Sequence, residues 1–373
     1  MTPNESLQLR LARLRAARRR AEAILISSPA NVRYMTGFTG SAGLLLIAGS
    51  RAVFITDPRY GADALGEAGG LFETVIIKGA PEKAVARICR RLGVTRLAFE
   101  KSASYAFYER LLRLFGAELI PVAGIIEGLR QAKDEYEAGC IKEAVRCAED
   151  AFREVAGWLR PGVTEEAFAR RLEEAISRRG AKPSFPAIVA SGENSAVPHA
   201  RPTGRRFSPG DLVVADWGAR FEGYCSDMTR TFLIKGQKMQ KKDMRLLEKR
   251  RIYRTVLEAQ AAAVDFVQKE YGEAGGEGKG PKDIDNSARY VIKQAGYGEY
   301  FSHSLGHGVG LEVHEKPSIS PRRGGRAPLV PKTVFTVEPG IYVPGLGGVR
   351  IEDMVYLAKP RPEVLTRLPK ARI

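Results

Sequence analysis

The sequence predicts an α/β chain of two domains, the second of α+β character, and three observations carry that prediction. Between residues 23 and 120, short apolar and β-branched runs alternate with helical patterns, the signature of a layered sheet with crossover helices. From Phe185 the texture changes to strands punctuated by glycine turns. At 373 residues the chain also exceeds what one hydrophobic core usually supports. The seam falls at Gln131-Ala-Lys-Asp-Glu135, where a long helical pattern begins, so domains are expected at 1–130 and 131–373.

In order, residues 7–22 carry a helical pattern, 23–26 a strand, and Ser27-Ser-Pro-Ala-Asn31 a turn. Strands are predicted at 44–47 and 51–56, then at 73–77, 96–99 and 118–120, with helices at 81–92 and 105–115 between them. The glycine-rich stretch 36–43 lacks a Walker lysine and the dinucleotide spacing, which excludes phosphate binding there. The helix after Gln131 runs to Leu159 and closes at Arg160-Pro-Gly162. Thr164 is placed to cap the next helix, with Glu165 and Glu166 in its first turn. Further helices are predicted at 243–268 and 284–294, separated by a glycine- and lysine-rich loop, 272–282.

Composition, 44% hydrophobic and 27% charged, is that of a globular protein. No apolar run reaches bilayer-spanning length, and the basic N-terminus is not followed by a secretory core, so a cytoplasmic protein without membrane attachment is expected. The net charge of +16 raises a nucleic-acid reading. Its densest cluster, Arg10, Arg13, Arg15, Arg18, Arg19 and Arg20, alternates with Leu and Ala as the solvated face of an amphipathic helix does. No nucleic-acid-binding motif accompanies it, so no specific nucleic-acid partner is expected. Cys89, Cys140, Cys147 and Cys225 form no CxxC or zinc spacing and are expected to be reduced and structural.

Three of the four histidines, His303, His307 and His314, fall within residues 301–315, and His199 is the fourth. A chain so sparing with histidine that packs three into one glycine-rich segment is building a site. Between Gly210 and Ile234 the pattern reads strand, turn, strand, and folding it about Phe221-Glu222 sets Asp216 opposite Asp227. Between Thr333 and Val355 the same operation about Gly345 brings Glu338 to Glu352. Like charges directly opposed in a hairpin repel at about 5 Å, so a cation is called for. Four carboxylates and a histidine exceed the ligand set of one catalytic zinc and suit two divalent ions.

These segments resemble the metallopeptidase family that includes aminopeptidase P, prolidase and methionine aminopeptidase, with its "pita-bread" catalytic fold. The motifs are Asp216-Trp-Gly-Ala, Ser226-Asp-Met-Thr-Arg-Thr231, His303-Ser-Leu-Gly-His-Gly-Val-Gly310, Val337-Glu-Pro-Gly340 and Arg350-Ile-Glu-Asp353. Through Asn31-Val-Arg-Tyr-Met-Thr-Gly-Phe38 and Thr56-Asp-Pro-Arg-Tyr60 the first half resembles the creatinase/prolidase N-terminal domain, which points to the proline-specific branch. The resemblance implies Asp216, Asp227, His307, Glu338 and Glu352 as metal ligands, with Asp227 and Glu352 bridging and Glu338 moving a proton to the leaving imino group. It implies that His199 and His314 steady the scissile carbonyl and that His303 and Arg350 orient the ligands. It further implies two divalent ions (manganese first, cobalt or zinc next), a peptide substrate with proline second, and a homodimer. Several relatives acting on dipeptides carry arginine after His-Glu-x-Pro, where this chain has Ser318. That favours an aminopeptidase over a dipeptidase, with Arg322 or Arg323 as substitutes if dipeptides are taken. A non-catalytic binding member of the fold would have lost ligands, and all five stand.

Overall fold

A computed structural model describes residues 2–17, 21–61, 70–236, 243–272, 279–322, 325 and 327–371. The chain divides into two compact units, Met1–Arg130 and Gln131–Ile373. Among the described residues no helix is long and apolar enough to cross a membrane.

The first unit begins with α1 (Pro3–Ala17), β1 (Ala23–Ile26), α2 (Pro29–Thr36), β2 (Gly43–Ala48) and β3 (Arg51–Thr56). It continues with β4 (Glu73–Ile76), α3 (Pro81–Arg91), β5 (Arg96–Glu100), α4 (Tyr105–Phe115), β6 (Glu118–Val122) and α5 (Ile125–Gln131). The six strands form one sheet ordered β4-β3-β2-β1-β5-β6. Strand β2 runs antiparallel to both neighbours, and the remaining pairs are parallel. Leu25, Leu46, Val53, Ile55 and Leu97 of the sheet pack on Val85, Ile88, Cys89, Leu111 and Phe115 of the helices.

Two expectations change here. The predicted turn at Ser27–Asn31 is the start of helix α2: Pro29 occupies its first turn, where its missing N–H costs nothing, and Gly37 closes it at φ 78°. The first helix runs Pro3–Ala17 rather than over 7–22, and Arg18, Arg19 and Arg20 lie outside the described residues. Arg10 does not belong to a solvated face: it is buried, donates to the Tyr34 carbonyl at 2.7 Å and lies 4.2 Å over the Tyr34 ring.

The second unit is built on α6 (Glu135–Val155), α7 (Glu165–Ser177), α8 (Met244–Glu270) and α9 (Pro281–Gln294). Asp134 and Glu137 form a capping box on α6, and Thr164 caps α7 by accepting from the Ala167 N–H at 3.1 Å. Strands β7 (Lys182–Pro183), β8 (Ile188–Ser191), β9 (Leu212–Trp217), β10 (Ala219–Phe221), β11 (Tyr224–Cys225) and β12 (Met228–Leu233) form two three-stranded sheets, β11-β10-β7 and β12-β9-β8. Strands β13 (Gly306–Gly308), β14 (Glu315–Ile319), β15 (Val334–Val337), β16 (Gly340–Val343), β17 (Gly347–Arg350), β18 (Asp353–Tyr356) and β19 (Glu363–Val364) follow. They form a five-stranded sheet, β14-β13-β15-β18-β19, and the ribbon β16-β17. Helix α6 lies behind β9, where Trp217 donates to the Ala148 carbonyl at 3.0 Å and stacks on Phe152 at 4.7 Å. Ile252, Val256 and Val267 of α8 and Ile284 and Ile292 of α9 pack on Phe335, Val337, Ile341 and Val355 of the strands. Of the 272–282 loop, residues 273–278 lie outside the described residues.

The first carboxylate hairpin has a different register from the expected one. Asp216 pairs with Thr229, not Asp227, because the turn sits at Glu222-Gly223, both with positive φ (47° and 85°). That is the primed geometry whose twist suits a hairpin. The shift is by two residues, so Asp227 stays on the same face as Asp216. In the second hairpin Val337 pairs with Asp353 and Gly340 with Arg350, the register that folding about Gly345 predicts.

The four cysteines are free and buried. Burial pushes the Cys89 thiol up to about 12 and that of Cys225 up to about 11, as expected of inert structural thiols.

Candidate metal centre

All nine residues singled out in the sequence line one cavity of about 760 Å³ in the second unit: Asp216, Asp227, His307, Glu338, Glu352, His199, His314, His303 and Arg350. Asp216 lies within a strand, and Asp227, Glu338 and Glu352 each stand one residue outside a strand end. Asp216 lies in β9 between Ile188 of β8 and Thr229 of β12. Asp227 follows the break at Gly218, where a Cβ would stand 1.9 Å from the Ser226 carbonyl oxygen, so only glycine allows that approach. Glu338 and Glu352 occupy the step between the β15–β18 and β16–β17 ladders, with their N–H groups on the carbonyls of Leu305 (2.8 Å) and Thr229 (3.1 Å). His307 sits in β13 between two glycines that let the strand run close to its neighbours. A Cβ at Gly306 would meet the Thr336 oxygen at 2.0 Å, and one at Gly308 the Lys316 oxygen at 2.2 Å.

Three sets of side chains bring ligand atoms within 4.8 Å of one another: Asp227, His307 and His314; His307, Glu338 and Glu352; and Asp216, Asp227 and Glu352. His314, expected only to line the cleft, thus also stands among potential ligands, its ring 4.1 Å from that of His307. His307 Nδ1 lies 3.1 Å from the Gly308 carbonyl, which can only accept, so this nitrogen carries the proton and Nε2 is the atom free to bind a cation. Nε2 lies 3.3 Å from Glu338 Oε1 and 3.7 Å from Asp227 Oδ2.

The electrostatics call for cations. Burial, then repulsion from Glu352, Asp216 and Glu338, drives the Asp227 carboxyl well above its ordinary range. Burial, then Glu338 and Asp216, does the same to Glu352. Burial also raises Asp216 against the pull of Arg350. Burial opposes ionisation of Glu338 as well, but the His307 hydrogen bond and charge outweigh it and hold that carboxyl at about 2. The same pair raises His307 despite its burial. Asp216 Oδ1 is buried with no hydrogen-bond partner. A buried carboxylate oxygen left unpaired costs several kcal/mol, on the order of 1–3 or more, unless a ligand meets it. This donor set therefore fits divalent metal ions.

Thr229, Thr336 and Tyr342, which the sequence did not single out, join Arg350 and His303 in holding these side chains in place. Thr229 donates to Glu352 Oε2 at 2.7 Å and accepts from Arg350 Nε at 3.0 Å. Thr336 donates to Glu338 Oε1 at 3.2 Å and accepts from the His307 N–H at 3.1 Å. Arg350 binds Asp216 Oδ2 at 2.7 Å and Tyr342 at 2.8 Å. The Tyr342 hydroxyl lies 3.0 Å from His303 Nε2, and His303 Nδ1 lies 2.7 Å from the Ser304 carbonyl. Through hydrogen bonds His303 reaches Asp216 by way of Tyr342 and Arg350. Burial depresses the His303 pKa, which keeps the ring neutral and able to accept from Tyr342. The threonines had a signal, standing two residues from a ligand on the same strand face. Tyr342 had none.

Removing metal should invert the usual pH response of stability. Among the residues lining the cavity, Asp216, Asp227, Glu352 and His307 have raised native pKa values in the stripped protein, against lowered ones for His303, His314 and Glu338. Groups with raised values hold more protons folded than unfolded, so stability falls as pH rises through their native pKa values. The melting temperature of the stripped protein is expected to climb as pH drops from about 8 to about 5, and saturating metal to flatten that slope. Scanning calorimetry at several pH values checks it; a stripped protein most stable at alkaline pH would contradict it.

Compared with known proteins, the chain matches metallopeptidase family M24 over residues 139–359 and the creatinase/prolidase N-terminal domain over residues 9–132. It is 35% identical to an Xaa-Pro dipeptidase of Pyrococcus horikoshii, covering 94% of each chain. Among solved structures it is similar to the Xaa-Pro dipeptidase from Bacillus anthracis, at 39% identity and a TM-score of 0.89 over 98% of this chain and 99% of that one. It is likewise similar to the X-Pro aminopeptidase from Thermotoga maritima, at 37% identity and a TM-score of 0.83 over 94% and 97%.

Proposed function

The chain belongs to metallopeptidase family M24, and from that premise we propose that it hydrolyses the peptide bond before proline, releasing the N-terminal residue of Xaa-Pro-Yaa peptides with two divalent ions. The observation that carries this is the convergence of Asp216, Asp227, His307, Glu338 and Glu352 on one cavity, with the Asp216 oxygen left unpaired. Asp227, Glu352 and His307 each belong to two of the three ligand sets; of these only the carboxylates have two oxygens to share, so Asp227 and Glu352 would be the residues to hold both ions. An oxygen-rich set with one or two imidazoles favours manganese, with cobalt or zinc next.

When bound, the ions supply a Lewis acid for the carbonyl and bring the pKa of a water towards neutrality. The side chains do the rest. Glu338, held by Thr336 and beside His307, takes the attacking water's proton and returns it to the proline nitrogen, which must be protonated to leave. His199 and His314 line the cavity where they can donate to the carbonyl oxygen as it gains charge. Phe185, Pro186, Ile188, Pro198, Pro202 and Val313 give an apolar wall for a pyrrolidine ring. Four free, buried cysteines suit a reducing compartment, so we place the enzyme in the cytoplasm; homodimeric assembly belongs to the same reading and is tested by light scattering.

Length preference rests on Ser318. It pairs with His307 across the β13–β14 ladder, so its side chain shares the face that His307 presents to the cavity. A serine there offers no cation to a dipeptide's carboxylate. Arg322 is exposed beyond β14, and Arg323 lies outside the described residues. The expected result is that Xaa-Pro-Yaa is cleaved faster than Xaa-Pro, and that Ser318→Arg shifts the ratio towards dipeptides by roughly tenfold or more. A manganese-loaded enzyme assayed on both substrates decides it: hydrolysis of dipeptides alone would sink the aminopeptidase reading. That outcome would establish the second reading, an Xaa-Pro dipeptidase, favoured by the names of the P. horikoshii and B. anthracis relatives.

A further inference from the structure

Two arginines line the catalytic cavity, and they are in opposite situations. Arg350 is buried and spent on Asp216, Thr229, Tyr342 and the Pro198 carbonyl. Arg201 is exposed, lines the same cavity, and has no hydrogen-bond or ion-pair partner among the described residues. Its near neighbours in sequence are committed: Arg205 to Asp211 and Arg206 to the Gly162 carbonyl. Its backbone is fixed on both sides, by the Ala200 N–H on the Val197 carbonyl and by Pro202, which restricts the preceding residue to extended conformations. The result is a free guanidinium held at the rim of a cavity whose floor is carboxylates.

We propose that Arg201 is a specificity residue that takes the C-terminal carboxylate of a short peptide substrate, selecting free acids over amidated or long chains. This rests on the peptidase reading above. A peptide brings two backbone charges. The ammonium is repelled by a guanidinium, so the carboxylate is the end that Arg201 can hold. Ser318, paired with His307 across the β13–β14 ladder, offers no cation, which leaves the carboxylate contact to the rim, beyond proline, where an exposed arginine reaches it through a flexible stem.

The test compares Ala-Pro-Ala with its C-terminal amide on the manganese-loaded full-length enzyme. Wild type is expected to favour the free acid by roughly tenfold in kcat/KM, chiefly through KM. Arg201→Gln should bring that ratio close to one, and Arg201→Lys should retain part of it. Because the contact is exposed, the wild-type ratio should also shrink at 1 M salt, while that of Arg201→Gln should not respond. A wild-type enzyme that cleaves both substrates equally, or an Arg201→Gln enzyme with an unchanged ratio, overturns the assignment and leaves the peptidase reading standing. A wild-type enzyme that cleaves neither overturns the peptidase reading, and the role of Arg201 falls with it.

Discussion

Asp227→Asn is expected to lower turnover by on the order of a thousandfold or more while raising the stability of the metal-free protein. The two effects share one cause. Asp227 is buried among Glu352, Asp216 and Glu338, and its charge is tolerable only when cations share the space. The amide keeps the volume and removes the charge, so the stripped variant should melt above stripped wild type near neutral pH. For the same reason metal should stabilise it less: a ligand at a hundred times its dissociation constant contributes about 2.7 kcal/mol, and weakened binding forfeits part of that. Melting curves with and without manganese, alongside turnover, check both halves. A variant that stays fully active, or one whose stripped form melts below stripped wild type, would remove Asp227 from the metal centre.

Arg350→Met is expected to cost about 3–5 kcal/mol of stability, the range for breaking a buried ion pair by removing one partner. The guanidinium serves Asp216, Thr229, Tyr342 and the Pro198 carbonyl at once, and methionine fills much of the volume while serving none. Asp216, already carrying one unpaired oxygen, would then have neither oxygen matched within the protein. Urea denaturation of the stripped protein measures the loss. Adding Asp216→Asn to Arg350→Met should recover part of it, since the stranded charge is gone; strictly additive losses would mean the two do not form a unit.

The sequence made the need for a cation legible because crowded carboxylates on hairpins are a charge pattern, readable without coordinates. It made the Glu338–Glu352 register legible because that hairpin is symmetric about Gly345. The Asp216 hairpin was displaced by two residues because Glu222 adopts a left-handed φ of 47°, a conformation expected of Asn, Asp or Gly before that of Glu. The burial of Arg10 depends on a carbonyl 24 residues away, and Tyr342 bridges Arg350 to His303 across strands. Such links are tertiary, and local pattern does not encode them. Helix α2 was hidden by Pro29, a residue that marks turns and helix starts alike.

The glutamate-bearing ribbon has a consequence for engineering. Ladders β15–β18 and β16–β17 hold a common register on either side of the Glu338–Glu352 step. A segment grafted at the tip, between the exposed Pro344 and Gly345, could pull the strands past one another only by breaking both ladders together, and a one-residue slip would turn every side chain to the wrong face. Inserted residues should therefore bulge outward at the tip. That makes the tip a port for a reporter loop or an affinity handle, mechanically insulated from the cavity's carboxylates.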